Sequence, residues 1–178
     1  MKGVVFTELL RMVEEGFGYD MVDTIIEKSD LPSQGAYTAV GTYDHTEAVS
    51  LVVNLSQETN IPIPDLLKAF GEFLFNTLAT GYPQFIEGAN NELEFLEQVE
   101  NYIHVEVRKL YPDAGLPTFE CSRPNSQNEL HMVYESGRHL EDLCEGLITG
   151  SLKHFKSNAT IQRSTLDDGR ELFIITRP

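Results

Sequence analysis

The chain has 178 residues, 41% of them hydrophobic, which is enough for one domain of ordinary size with room for a buried pocket. Lys and Arg total 13 against 28 Asp and Glu, a formal charge of -15 that repels phosphate backbones and anionic bilayers, so neither nucleic acid nor membrane is an expected partner. No run approaches the roughly 18 apolar residues of a membrane span, and MKGVVFTELL reaches Glu8 before a secretory core can form; a cytoplasmic protein is expected.

In chain order, Val5, Phe6, Leu9, Leu10 and Val13 recur at intervals of three and four, predicting an amphipathic helix that GFG at 16–18 ends. Met21, Val22, Ile25 and Ile26 predict a second helix that stops near Ser29, before the turn chemistry of Asp30, Pro32 and Gly35. A third is expected from Thr46 to Glu58. IPIPDLLKAF then places Pro64 and Asp65 in a first helical turn, and this fourth helix runs through Phe70, Leu74 and Leu78 to Gly81. From Asn91 to Tyr111 a long helix is predicted, with Leu96, Val99, Ile103, Val107 and Leu110 as its apolar stripe and His104 at the stripe's edge.

After Pro112 the pattern changes. Thr118–Ser122 and Leu130–Tyr134 read as strands of a hairpin around RPNSQNE, Leu140–Phe155 as a helix, and Ala159–Leu166 and Glu171–Thr176 as a second hairpin around Asp-Asp-Gly. Helices first and about four antiparallel strands afterwards, with a helix inserted, make an α+β arrangement. One domain spanning 1–178 is expected, with a soft subdomain boundary near 60–64. Cys121 and Cys144 are far apart and form no CxxC, so free thiols that serve packing are expected.

Two features carry chemistry. His104 stands between Ile103 and Val105 on an apolar helix and can offer a neutral imidazole nitrogen to a metal; taken alone, such a histidine is more often a packed side chain. Tyr134, Ser136 and Arg138 are spaced two apart at the end of a strand-like run, so they can present a phenol, a hydroxyl and a guanidinium together toward an anion. Equally, Tyr134 can simply pack and Arg138 be solvated.

Taken together, these segments resemble the H-NOX family, the haem nitric oxide and oxygen binding domains related to the haem region of soluble guanylate cyclase. The carriers are the start MKG, FGEFLFNTL, NYIHVEVRKLYPDAGLP, the YxSxR at 134–138 and GLITGSLKHF, in the family's order over nearly the whole chain. The resemblance implies haem b (iron protoporphyrin IX) as cofactor, His104 as the proximal iron ligand, Tyr134, Ser136 and Arg138 as propionate holders, and Pro117 as the proline packed on the porphyrin. It also implies a distal pocket that includes Val5, Leu9, Leu74, Leu78, Leu143 and Leu147. Oxygen-holding members are known for a distal tyrosine, and its matching position here is Leu143. The resemblance therefore implies an NO sensor that also takes CO, excludes O2, and signals to a separate partner, a histidine kinase or a cyclic-di-GMP enzyme.

The acidic run Glu92, Glu94, Glu97 and Glu100 is a candidate partner face. Unlike some bacterial relatives, the chain has no second cysteine beyond Cys144, so no structural zinc or redox disulfide is expected. The rival readings are a hydrolase, which lacks any GxSxG elbow, an oxygen-binding or haem-peroxidase-like protein, which needs polar distal groups, and a non-haem ligand-binding adaptor on the same fold. No enzymatic activity is expected.

Overall fold

The computed structural model describes all 178 residues. Four helices open the chain: α1 (Gly3–Phe17), α2 (Tyr19–Lys28), α3 (His45–Thr59) and α4 (Ile63–Gly81). Each starts and stops on local chemistry. Gly18, at φ 87°, is the break between α1 and α2, a left-handed position that costs glycine little. The Asp44 side chain caps α3 by accepting from the Thr46 amide at 2.9 Å. Pro64 sits in the first turn of α4, where its missing N–H leaves nothing unpaired.

The apolar stripes of these four helices close on one another. Phe6, Leu9 and Val13 of α1, Ile25 of α2, Leu51 and Leu55 of α3 and Leu66 and Phe70 of α4 form one buried cluster. Tyr37 and Tyr43, in the loop before α3, pack against Phe6 with ring centroids 4.5 and 5.5 Å away.

A short helix that the sequence pattern does not signal, α5 (Gln84–Glu87), follows Pro83. The predicted long helix from Asn91 to Tyr111 is present but not uniform. It consists of α6 (Glu92–Gln98), a π turn (Val99–Ile103) and α7 (His104–Leu110). The π turn closes on the Val99 carbonyl, which accepts from the His104 amide, five residues on. Periodicity sees only a helix here, because one wide turn barely disturbs the spacing of the apolar stripe.

The rest is the sheet and its helix: β1 (Thr118–Ser122), β2 (Glu129–Glu135), α8 (Glu141–His154), β3 (Thr160–Thr165) and β4 (Glu171–Thr176). All pairings are antiparallel, and the order β1-β2-β4-β3 joins the two predicted hairpins through β2 and β4. Along β2 burial alternates, so Leu130, Met132 and Tyr134 face one way with Phe173 and Ile175 of β4. That face packs on Ile148 and Leu152 of α8, Leu93 and Leu96 of α6 and Phe75 of α4, a second buried cluster. The fold is α+β, a helical N-terminal part followed by a C-terminal part with a four-stranded antiparallel sheet.

Helix α4 belongs to both clusters and crosses α8 at backbone contact. A Cβ on Gly71 would lie 2.6 Å from the Leu147 amide nitrogen, one on Gly150 would lie 2.7 Å from the Phe75 Cβ, and one on Gly146 would overlap the Lys68 carbonyl. Only glycine allows that approach, and it brings Leu74 of α4 beside Leu143 and Leu147 of α8. No helix is long and apolar enough to cross a membrane.

Candidate functional site

Between the two clusters lies a cavity of about 360 Å³, lined almost wholly by apolar side chains. That is within the range of roughly 300–1,000 Å³ over which small molecules and cofactors are held. Met1, Lys2, Val4, Val5 and Ala39 of the N-terminal part reach it, and α4, α5, α6, the π turn, α7, α8, the sheet and the segment Ala114–Pro117 supply further walls.

His104 opens α7 and lines the cavity, with the residue only 8% exposed. Its Nδ1 is 2.9 Å from Oε2 of Glu100, and Nε2 has no hydrogen-bond partner within the protein. Burial pushes the imidazole's pKa below the ordinary histidine value, against the upward pull of the Glu100 carboxylate, so the ring is neutral at pH 7. Nδ1–H donating to Glu100 leaves Nε2 as a lone-pair donor, the form in which a histidine binds a metal.

The three residues of the YxSxR segment also converge on the cavity. Tyr134 is buried on β2, and burial pushes its phenol up to about 12, which keeps it protonated and able to donate. Ser136 follows the strand, and its Oγ accepts from the Arg138 amide at 3.2 Å, a tight local turn that sets the direction of the arginine. The guanidinium of Arg138 lies against Gly115, 2.5 Å from where a Cβ would stand there. Every other arginine of the chain pairs with a carboxylate, as Arg11, Arg108, Arg123, Arg163, Arg170 and Arg177 do. Arg138 has no such partner in a chain of charge -15, and it lines an apolar cavity. A cation so placed suits an anionic group carried by an apolar ligand.

Of the positions expected from sequence, Val5, Leu74, Leu78, His104, Pro117, Tyr134, Ser136, Arg138, Leu143 and Leu147 all line the cavity. Leu9 does not. It is 1% exposed and packs in the N-terminal cluster, because α1 presents Val5, one turn earlier, at the cavity and turns Leu9 into the four-helix core. Each carboxylate of the acidic run has a partner within the fold, and Glu94, Glu97 and Glu100 stay partly exposed. Glu92 is buried against Arg177, Glu97 is held by Arg123, Glu100 by His104 and Arg108, and Glu94 by Asn90 and Asn91.

Of Tyr19, Tyr37, Tyr43 and Tyr82, the tyrosines that sequence alone leaves free to enter the pocket, Tyr82 at the end of α4 lines the cavity and stacks on Phe85 at 5.8 Å. Sequence reasoning misses Glu100, which reads only as part of a charged run although its i,i+4 spacing to His104 is the available signal. Cys144 and Cys121 are free thiols, buried and half-buried, and burial raises both above the ordinary thiol range, Cys121 to about 11. The remaining residues fit the group implied by the sequence: a neutral histidine for iron, a phenol, a hydroxyl and an unpaired guanidinium for carboxylates, and apolar walls for a macrocycle.

Comparison with known proteins agrees with that chemistry. The haem-NO-binding family matches residues 2–163. The unliganded Fe(II) H-NOX protein of K. algicida is 42% identical over 100% of this chain and 97% of its own, with a TM-score of 0.93. The H-NOX protein of S. oneidensis in the Fe(II)NO state is 30% identical over 100% of this chain and 99% of its own, at a TM-score of 0.91. The Shewanella woodyi H-NOX in the Fe(II)CO state is 40% identical over 100% and 95%, at 0.86. Comparison with curated proteins finds no match. The match over most of the chain and these relatives together show that the chain belongs to the haem-NO-binding, or H-NOX, family of haem-binding sensor domains.

Proposed function

We propose that residues 1–178 act as one haem b unit that senses nitric oxide, takes CO more weakly, excludes O2, and passes its state to a separate partner protein without catalysing a reaction. Ferrous haem supplies the open coordination position at which a diatomic gas binds. Nε2 of His104 would bond the iron, Tyr134, Ser136 and Arg138 would hold the propionates, and Pro117 would pack against the macrocycle.

The observation that carries the selectivity is the leucine wall. Leu74, Leu143 and Leu147, with Val5, offer no proton to a bound gas. A hydrogen bond to a charged acceptor is worth about 1.5–3 kcal/mol, so its absence weakens O2 retention roughly ten- to hundredfold, while NO does not depend on it. Relatives from S. oneidensis and Shewanella woodyi are known with NO and CO respectively, which supports these ligands here. Because Met1, Lys2, Val4 and Val5 share the cavity with α7 and α8, a change at the cavity acts on both halves of the fold; a histidine kinase or a cyclic-di-GMP enzyme suits the receiving partner.

Anaerobic absorption spectra of the reduced protein, before and after NO and then in air, test the reading with His104→Gly and Leu143→Tyr alongside. The expected result is a Soret band that shifts with NO, no lasting change with O2 other than slow oxidation, an altered or lost band in His104→Gly, and a distinct air-stable spectrum in Leu143→Tyr. A protein that takes up no haem sinks the proposal, and lasting O2 uptake by the unmodified chain overturns the selectivity.

A further inference from the structure

Glu100 makes three contacts that converge on one carboxylate. Oε2 is 2.9 Å from Nδ1 of His104 and accepts from the Phe119 amide at 3.3 Å, while Oε1 accepts from Arg108 at 3.0 Å. Glu100 itself is in the π turn, and its three partners come from two other elements, His104 and Arg108 from α7 and Phe119 from β1. A carboxylate with both oxygens engaged from a strand and a helix has little freedom to turn. Its side chain is 20% exposed, so the hydrogen bonds are only partly screened by water. The Arg108 guanidinium 3.0 Å from Oε1 favours the charged carboxylate.

We infer that Glu100, pinned by Arg108 and the Phe119 amide, is the positioning residue of His104: it fixes the tautomer with Nε2 bare toward the cavity and strengthens the bond that Nε2 makes to iron. The inference rests on the haem reading above and extends it to a residue beyond the ligand and propionate motifs. A charged acceptor at Nδ1–H draws that proton away from the ring, raising the basicity of the opposite nitrogen, as carboxylate partners do for metal-bound histidines generally. The strength of the iron to histidine bond decides how readily NO releases the histidine, so Glu100 sets part of the sensor's threshold. Arg108, 40% exposed, shares the same carboxylate and extends the chain of contacts from His104 to the protein surface.

Resonance Raman spectra of the reduced, haem-loaded protein test this with Glu100→Gln and Glu100→Ala. The iron to histidine stretching band is expected to move to lower frequency in Glu100→Gln, which keeps the shape but not the charge, and further in Glu100→Ala. On titration with NO, the fraction of protein that has released the histidine should rise in the same order. A purely structural role would lower thermal stability without moving the band, and an unmoved band in soluble, haem-loaded variants overturns the inference.

Should neither variant fold, 15N-histidine NMR of the unmodified reduced protein under CO decides. A strongly downfield Nδ1–H on His104 supports the inference, and a protonated Nε2 or an absent Nδ1–H overturns it. Failure of the haem reading is separate, since it shows as the absence of any Soret band in the unmodified protein, and it takes this inference with it.

Discussion

The two halves of the molecule bury charge differently. The N-terminal helices close on an apolar cluster of Phe6, Leu9, Val13, Ile25, Leu51 and Leu55, and their ion pairs, such as Arg11 with Glu8 and Glu15, are at the surface. Their one buried carboxylate, Glu47, is met by neutral donors, Ser33 and the Tyr37 hydroxyl, the latter at 3.0 Å. In the C-terminal half the buried carboxylate Glu92 is met by a guanidinium in fork geometry, with Nε of Arg177 2.7 Å from Oε1 and Nη2 3.0 Å from Oε2. Ser157 adds a third donor at 2.9 Å. The first half is held by shape; the second adds charge to tie the start of α6 to the end of β4. The cavity lies between an apolar unit and a cross-braced one.

That contrast is breakable. Leu51→Ala, at a fully buried site of the helical core, should cost the most, about 3–4 kcal/mol, or roughly 6–16 °C in Tm, with a penalty that does not vary between pH 4 and 8. Differential scanning calorimetry across that range measures both.

Glu92→Gln should cost about 2–3 kcal/mol at pH 7, since it removes the charge from a pair whose arginine is 28% exposed. This penalty depends on pH with a definite sign. The hydrogen bond from Arg177 outweighs burial and holds the Glu92 carboxyl below the ordinary value. Its contribution is therefore fully present above the unfolded pKa of about 4.3 and is lost as pH falls through the lower folded value. The gap between variant and unmodified protein should close in acid; a gap that stayed constant down to pH 3 would deny the charge its role.

The smallest effect is expected across the seam. Lys2→Ala removes a hydrogen bond to Thr42 at 2.8 Å, an Asp113 pair at 3.7 Å and a cation–π contact with Tyr111 at 4.7 Å. With Asp113 62% exposed, these contacts are worth about 1 kcal/mol or less, so thermal melts should move by a few degrees at most.

Much of this was legible in the sequence, and what was not has physical causes. The four N-terminal helices, both hairpins and α8 announce themselves because each buries one face, and one-sided burial writes its period into the residues. The pairing of β2 with β4 does not, since register between two hairpins is decided by the shared core of Leu130, Met132, Phe173 and Ile175. Leu9 is hard to place from sequence for a related reason: it and Val5 lie on one stripe of α1, and only the position of α4 tells which turn meets the cavity and which packs in the core. The glutamates from 92 to 100 look like a solvated face in one dimension because their arginine partners are 8 to 85 residues away. His104 and the YxSxR segment were recognisable as a combination, whereas the unpaired state of Arg138 is a property of the whole folded chain.

The π turn beside His104 makes chain length a parameter of the site. A regular α-helix advances about 100° per residue and a π turn less, so straightening Val99–Ile103 into an unbroken α ladder at the same chain length would swing His104 by roughly 90° relative to Leu93 and Leu96. The helix would keep its composition, its apolar stripe and its histidine, and the imidazole would leave the cavity. Removing one residue along with the π turn would restore its direction. A related sequence with a one-residue gap in this turn can thus run as a plain α-helix and still point its histidine into the cavity, while one of equal length needs the π turn to do so.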